Sequence, residues 1–85
     1  MTDITTAAPG DSAAVRIGRF REELRVIRLV ARMSQGDLAG EVGKSQSWVS
    51  AIESGERIPR IDEALLLAEV LRARTGHNIL EVLIK

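Results

Sequence analysis

The chain has 85 residues, 45% hydrophobic and 28% charged, with one Trp, one Phe, no Tyr and no Cys. A domain of this size buries only about 60–65% of its unfolded surface, which excludes a large enzyme and requires an aliphatic core. Twelve basic residues balance twelve acidic ones, so net charge does not drive it onto nucleic acid, and without Cys and with one His no disulfide, thiol chemistry, clustered metal site or cofactor is expected.

Residues 1–11 are small, polar and interrupted by Pro9 and Gly10, and are expected to form a mobile N-terminal tail ahead of a folded unit at 12–85. From Ser12, an N-cap residue, Ile17, Phe20, Leu24, Ile27 and Ala31 recur at steps of three and four, predicting a first helix from Ala13 to Arg32. This segment holds six arginines against two glutamates, a local formal charge of +4. Its stripe of Arg21, Arg25, Arg28 and Arg32 reads as a solvated face whose aliphatic stems cover the core. Ser34 is a second N-cap with Asp37 at its third helical position; Leu38, Ala39 and Val42 follow, and Gly43 stops the helix after barely two turns. Ser45 caps a third helix, whose Trp48, Val49 and Ile52 precede the Ser54-Gly55 breaker. After Glu56-Arg57-Ile58-Pro59, the residues Ala64, Leu67, Ala68 and Leu71 mark a fourth helix that Gly76 ends. Asn78 then caps a last segment, Ile79 to Lys85, with Glu81 as the capping-box residue. No stretch alternates convincingly with period two, and neither an eighteen-residue apolar run nor a signal segment is present. The expectation is a compact five-helix, all-α, cytoplasmic protein with no membrane association.

The second and third helices are too short to be stable alone, and joined by a glycine turn they form a helix-turn-helix unit. Ala39 is small where the two must cross, Gly43 supplies positive φ, and Val49 and Ile52 face inward. The wheel of the Ser45–Ser54 segment sets Gln46, Ser47, Ser50, Ala51 and Ser54 opposite Trp48, Val49 and Ile52. Such a small, polar outer face suits a major groove: Gln46 can pair bidentately with adenine, Ser47 and Ser50 can donate or accept, and Ala51 can touch a thymine methyl. Lys44, Arg57 and Arg60 flank this helix within reach of phosphates. A merely solvated surface has the same residue types, so the wheel alone leaves both readings open. Trp48, at the flank of the inward face, either packs against the following loop and helix 4 or offers its indole N–H to a phosphate.

Arg28, the run Met33-Ser34-Gln35, the stretch from Gly43 through Ser45, Gln46, Trp48, Val49, Ile52, Glu53 and Gly55 to Arg57, then Pro59 and Leu67-Ala68, together resemble the Cro/C1-type (XRE-like) helix-turn-helix domains of phage repressors and restriction controller proteins. The resemblance covers about Phe20 to Leu71. It implies a five-helix, lambda-repressor-like fold and a homodimer on a pseudo-palindromic double-stranded DNA operator, acting in transcription regulation in phage or bacteria, most simply as a repressor. It also implies a phosphate clamp at Gln35 and an Arg28–Glu53 ion pair tying helix 1 to the end of the recognition helix, with Ser45 in the DNA-facing set. The family usually has Gly where Arg32 stands and Leu where Ala64 stands, and the linker Arg74 to His77 is longer than usual.

Ile79, Leu80, Val82, Leu83 and Ile84 are more apolar than one face of a short helix can hide. Part is expected to close the core and the remainder to form a two-fold interface, setting two recognition helices about 34 Å apart; a strand paired across the dimer is the alternative. The length left beyond the helix-turn-helix unit holds no effector domain, so regulation is expected through concentration, cooperativity or competition with polymerase. A competing class is an antitoxin or adaptor that binds a protein partner and autoregulates its promoter. An enzyme is not expected, because the residues for acid–base, nucleophilic or phosphate-cradling chemistry are missing.

Overall fold

The computed structural model describes residues 12–84; the tail expected at 1–11, the terminal Lys85 and the side chain of Ile84 lie outside the described residues. Five helices follow in order: α1 (Ala13–Val30), α2 (Gln35–Val42), α3 (Gln46–Ser54), α4 (Ile61–Thr75) and α5 (Glu81–Ile84). There is no strand among the described residues, so the terminal segment is helical where it is regular.

Helix α1 begins where Ser12 Oγ accepts the Val15 N–H at 3.1 Å. It ends two residues earlier than the apolar spacing predicts, because Arg32 takes a left-handed conformation with φ 60°. The Arg32 N–H then donates to the Leu29 carbonyl at 3.0 Å and the Met33 N–H to the Arg28 carbonyl at 3.1 Å, the paired bonds of a Schellman stop. A turn of this shape costs glycine least, and here an arginine adopts it.

Helix α2 opens with a reciprocal box in which the Asp37 N–H donates to Ser34 Oγ and the Ser34 N–H to Asp37 Oδ2, both at 2.9 Å. It closes at Gly43, whose φ of 71° lets the Lys44 N–H reach the Ala39 carbonyl at 2.9 Å. Only one residue later Ser45 Oγ accepts the Trp48 N–H at 3.1 Å and starts α3. The turn is therefore built from two adjacent caps, and Ala39, Val42, Val49 and Ile52 are buried in the resulting crossing.

Helix α1 packs on α3, α4 and α5, while α2 packs on α3 and α4. Phe20, Leu24, Ile27, Leu38, Leu67 and Leu71 fill the space between them. Among the described residues 15 hydrophobic side chains are buried, and only two of them are aromatic, which places the stability in aliphatic contacts.

Helix α5 is shorter than the Ile79–Lys85 segment expected. Asn78 Oδ1 accepts the Leu80 N–H at 3.1 Å, and this turn drops Ile79 into the core before the helix starts. Ile79 is 1% exposed and belongs to the protomer's own interior, which corrects its assignment to a dimer interface. Leu80, Val82 and Leu83 are partly buried against the same core.

Candidate nucleic-acid interface

Helix α3 divides sharply by face. Gln46, Ser47 and Ser54 are exposed, Ser50 and Ala51 half-buried, and Val49 and Ile52 sealed inside. Ser45 Oγ, which caps the helix, also lies 3.2 Å from Ser47 Oγ. Its hydroxyl therefore has a structural task in holding the N-terminus of α3.

Of the two expectations for Trp48, packing or a phosphate contact through its indole N–H, the structure has the packing one. Trp48 is 9% exposed, and its Nε1 is buried without a hydrogen-bond partner among the described residues, so the indole packs inward and withholds its N–H from the surface. Lys44 closes over it, with Nζ 5.2 Å from the ring centroid and 2.9 Å from Glu63 Oε2. Lys44 is accordingly engaged with α4 and with the indole face. Glu63 also accepts the Arg60 N–H at 2.9 Å, capping α4; the Lys44 bond, ahead of this backbone bond, holds its carboxyl below the ordinary 4.5. Arg60 is itself paired with Asp62 at 2.7 Å. Arg57 is exposed, and its N–H donates to the Ala51 carbonyl at 3.1 Å, folding the loop back under the end of α3.

Behind the outer face lies a chain of side-chain hydrogen bonds. Arg28 Nε donates to Glu53 Oε2 at 2.6 Å and Arg28 Nη2 to Glu53 Oε1 at 3.0 Å, while Arg28 Nη1 donates to the Met33 carbonyl at 2.8 Å. Gln35 Nε2 donates to the same Glu53 Oε1 at 3.1 Å, and Gln46 Nε2 donates to Gln35 Oε1 at 2.8 Å. The chain runs from the interior outward, since the Arg28 and Glu53 side chains are 8% and 4% exposed whereas Gln46 is exposed. Helices α1, α2 and α3 are joined through it. The ion pair and the two glutamines are legible in the sequence only as separate features, because residues 11 and 18 positions apart meet only once the crossing exists.

Arg21, expected on a solvated stripe of α1, instead reaches α3 and donates from Nη1 to the Ser54 carbonyl at 3.4 Å. A cation there satisfies the C-terminal dipole of α3. Gly55 makes room for it: at φ 89° a Cβ would stand 1.9 Å from Arg21 Nη1.

No group of three or more His, Asp or Glu that could hold a metal occurs among the described residues, and no described helix is long and apolar enough to cross a membrane. The exposed polar side chains of α3 are Gln46, Ser47 and Ser54, of which Gln46 is bonded to Gln35 and Ser47 lies beside Ser45.

A helix-turn-helix domain model matches residues 19–81, a span that takes in the capped turn, the relay behind α3 and all of α4. The chain belongs to this helix-turn-helix family, within the XRE/Cro-C1-like group of DNA-binding domains. No match was found among curated proteins or among solved structures.

Proposed function

We propose that this protein is a homodimeric, sequence-specific transcriptional regulator, acting as a repressor at a pseudo-palindromic operator in the cytoplasm of a bacterial or phage-infected cell. The observation that carries the reading is the outer face of α3, where the exposed Gln46 amide is held by Gln35 at 2.8 Å. A glutamine so restrained gives up little rotamer freedom on pairing bidentately with an adenine. Ser47, Ser50 and Ala51 complete the groove-facing surface, with Ser45 holding its start. Gln35 at the first turn of α2, Arg57 beyond α3 and Lys44, once it exchanges Glu63 for a phosphate, set the register; each phosphate neutralised steepens the salt dependence by about 0.9 in the log–log slope.

The dimer is assigned to the apolar surface where α4 meets the chain end. Ile58, Ile61 and Leu65 are 63%, 71% and 46% exposed, and Ile17, Phe20, Pro59, Ala64 and Leu83 line a groove with the first two. Ala64, standing where related domains have Leu, leaves part of that groove open for a partner side chain. This moves the proposed interface from Ile79 to the α4 side and keeps Leu83, which lines the groove.

Selection of bound duplexes from a randomised library tests the reading. Enrichment of an inverted repeat with half-sites about one helical turn apart supports it. Absence of any enriched sequence, with the protein shown to be folded, rejects it in favour of an antitoxin or adaptor that works on a protein partner. Gln46→Ala should lose base preference at one position per half-site, a discrimination of about 1–3 kcal/mol.

A further inference from the structure

We infer that Glu53 is a positioning residue for base specificity: acting through Gln35, it determines which end of the Gln46 amide is offered to DNA. The inference rests on the reading of Gln46 as the base contact.

A carboxylate paired with a guanidinium accepts hydrogen bonds and has none to give. Glu53 takes two from Arg28 and one from Gln35. Gln35 must therefore turn its NH2 group to Glu53, which leaves its carbonyl oxygen for Gln46. Gln46 must in turn present its own NH2 group to Gln35. A glutamine amide left alone rotates between two nearly equivalent orientations; here one of them would set two acceptors or two donors against each other. The polarity of the buried ion pair is carried outward along two amides to the exposed end of the chain.

Gln46 is left with its carbonyl oxygen and one N–H, in a set order. Adenine in the major groove needs that combination, an acceptor for its N6–H and a donor for N7, whereas guanine puts an acceptor, O6, where adenine has the N6 amino group. A Gln46 carbonyl held in place thus opposes guanine, and a freely rotating amide would tolerate it by turning its NH2 group to O6. Discrimination between the two purines is accordingly a property of Glu53 and Gln35 as much as of Gln46.

The test compares base preferences of wild type, Glu53→Gln, Gln35→Met and Gln46→Ala in the same randomised duplex library, with thermal melts to establish folding. Gln46→Ala marks the position that Gln46 reads. At that position wild type should prefer adenine over guanine by roughly tenfold or more. Glu53→Gln, whose amide can face Gln35 with either end, and Gln35→Met, which interrupts the chain, should both bring the ratio within about threefold while other operator positions keep their preferences. An unchanged adenine-to-guanine ratio in a folded Glu53→Gln overturns the inference, and so does a general loss of affinity with an unchanged ratio in Gln35→Met. If Glu53→Gln fails to fold, Gln35→Met decides alone, since it leaves the Arg28–Glu53 pair in place. If Gln46→Ala changes no position, the base-contact reading of Gln46 fails instead, and the two failures are distinct.

Discussion

Arg28 and Glu53 meet in a two-pronged ion pair at 2.6 and 3.0 Å between α1 and α3, with their side chains only 8% and 4% exposed. Arg28 also binds the Met33 carbonyl, so one guanidinium holds both α3 and the turn that ends α1. Taking either charge away leaves the other buried and unpaired. Glu53→Ala and Arg28→Ala should each cost about 3–5 kcal/mol in urea unfolding, far above the 0–1 of an exposed pair. Replacing both by apolar residues of similar volume should recover much of that loss, and a double-mutant cycle measures the coupling.

Arg32 holds φ 60°, a conformation that costs an L-residue roughly 1–2 kcal/mol and glycine almost nothing. Its side chain is exposed. Arg32→Gly should therefore stabilise the domain by about 1 kcal/mol in equilibrium unfolding, and Arg32→Val, β-branched, should destabilise it. Loss of stability in Arg32→Gly would mean that the guanidinium does more than the turn requires.

Acid should weaken the fold through its helix caps. Asp37 is held below its ordinary 3.8, first by the Ser34 backbone N–H and then by the Ser34 hydroxyl, and Glu63 below 4.5, first by Lys44 and then by the Arg60 backbone. A carboxyl whose folded pKa is depressed contributes stability that is fully present above its unfolded pKa and is lost as pH falls through the folded value. Stability should be level above about pH 5.5 and decline below 4.5. Asp37→Asn and Glu63→Gln should each flatten that decline, as followed by melting temperature against pH.

Ile61, 71% exposed on the first turn of α4, carries little of the protomer's packing and much of the proposed interface. Ile61→Asp should leave the fold intact by circular dichroism and shift the dimer to monomer in sedimentation. Operator affinity should fall more than tenfold, because two half-sites are then no longer engaged together. An unchanged sedimentation coefficient would remove this surface from the dimer.

The helix starts were legible in the sequence because a cap acts over three residues. Ser12, Ser34 and Ser45 each accept an N–H from three positions ahead, and Gly43, Gly55 and Gly76 each stop a helix at positive φ. The two ends that were misplaced broke a local rule for a tertiary reason. Arg32 adopts a glycine-like turn where Arg28 reaches in to bind the Met33 carbonyl, and Ile79 leaves the predicted helix because the core takes its side chain.

Capping, apolar periodicity and glycine stops thus determined by themselves that five helices form and that α2 and α3 meet around Gly43, since each acts within about four residues. Which side chains face one another was decided only by the tertiary structure. The inward turn of Trp48, the capture of Lys44 by Glu63 19 residues away and the chain from Arg28 to Gln46 depend on crossing angles. Those angles follow from how the whole core packs, and no short window of sequence contains that information.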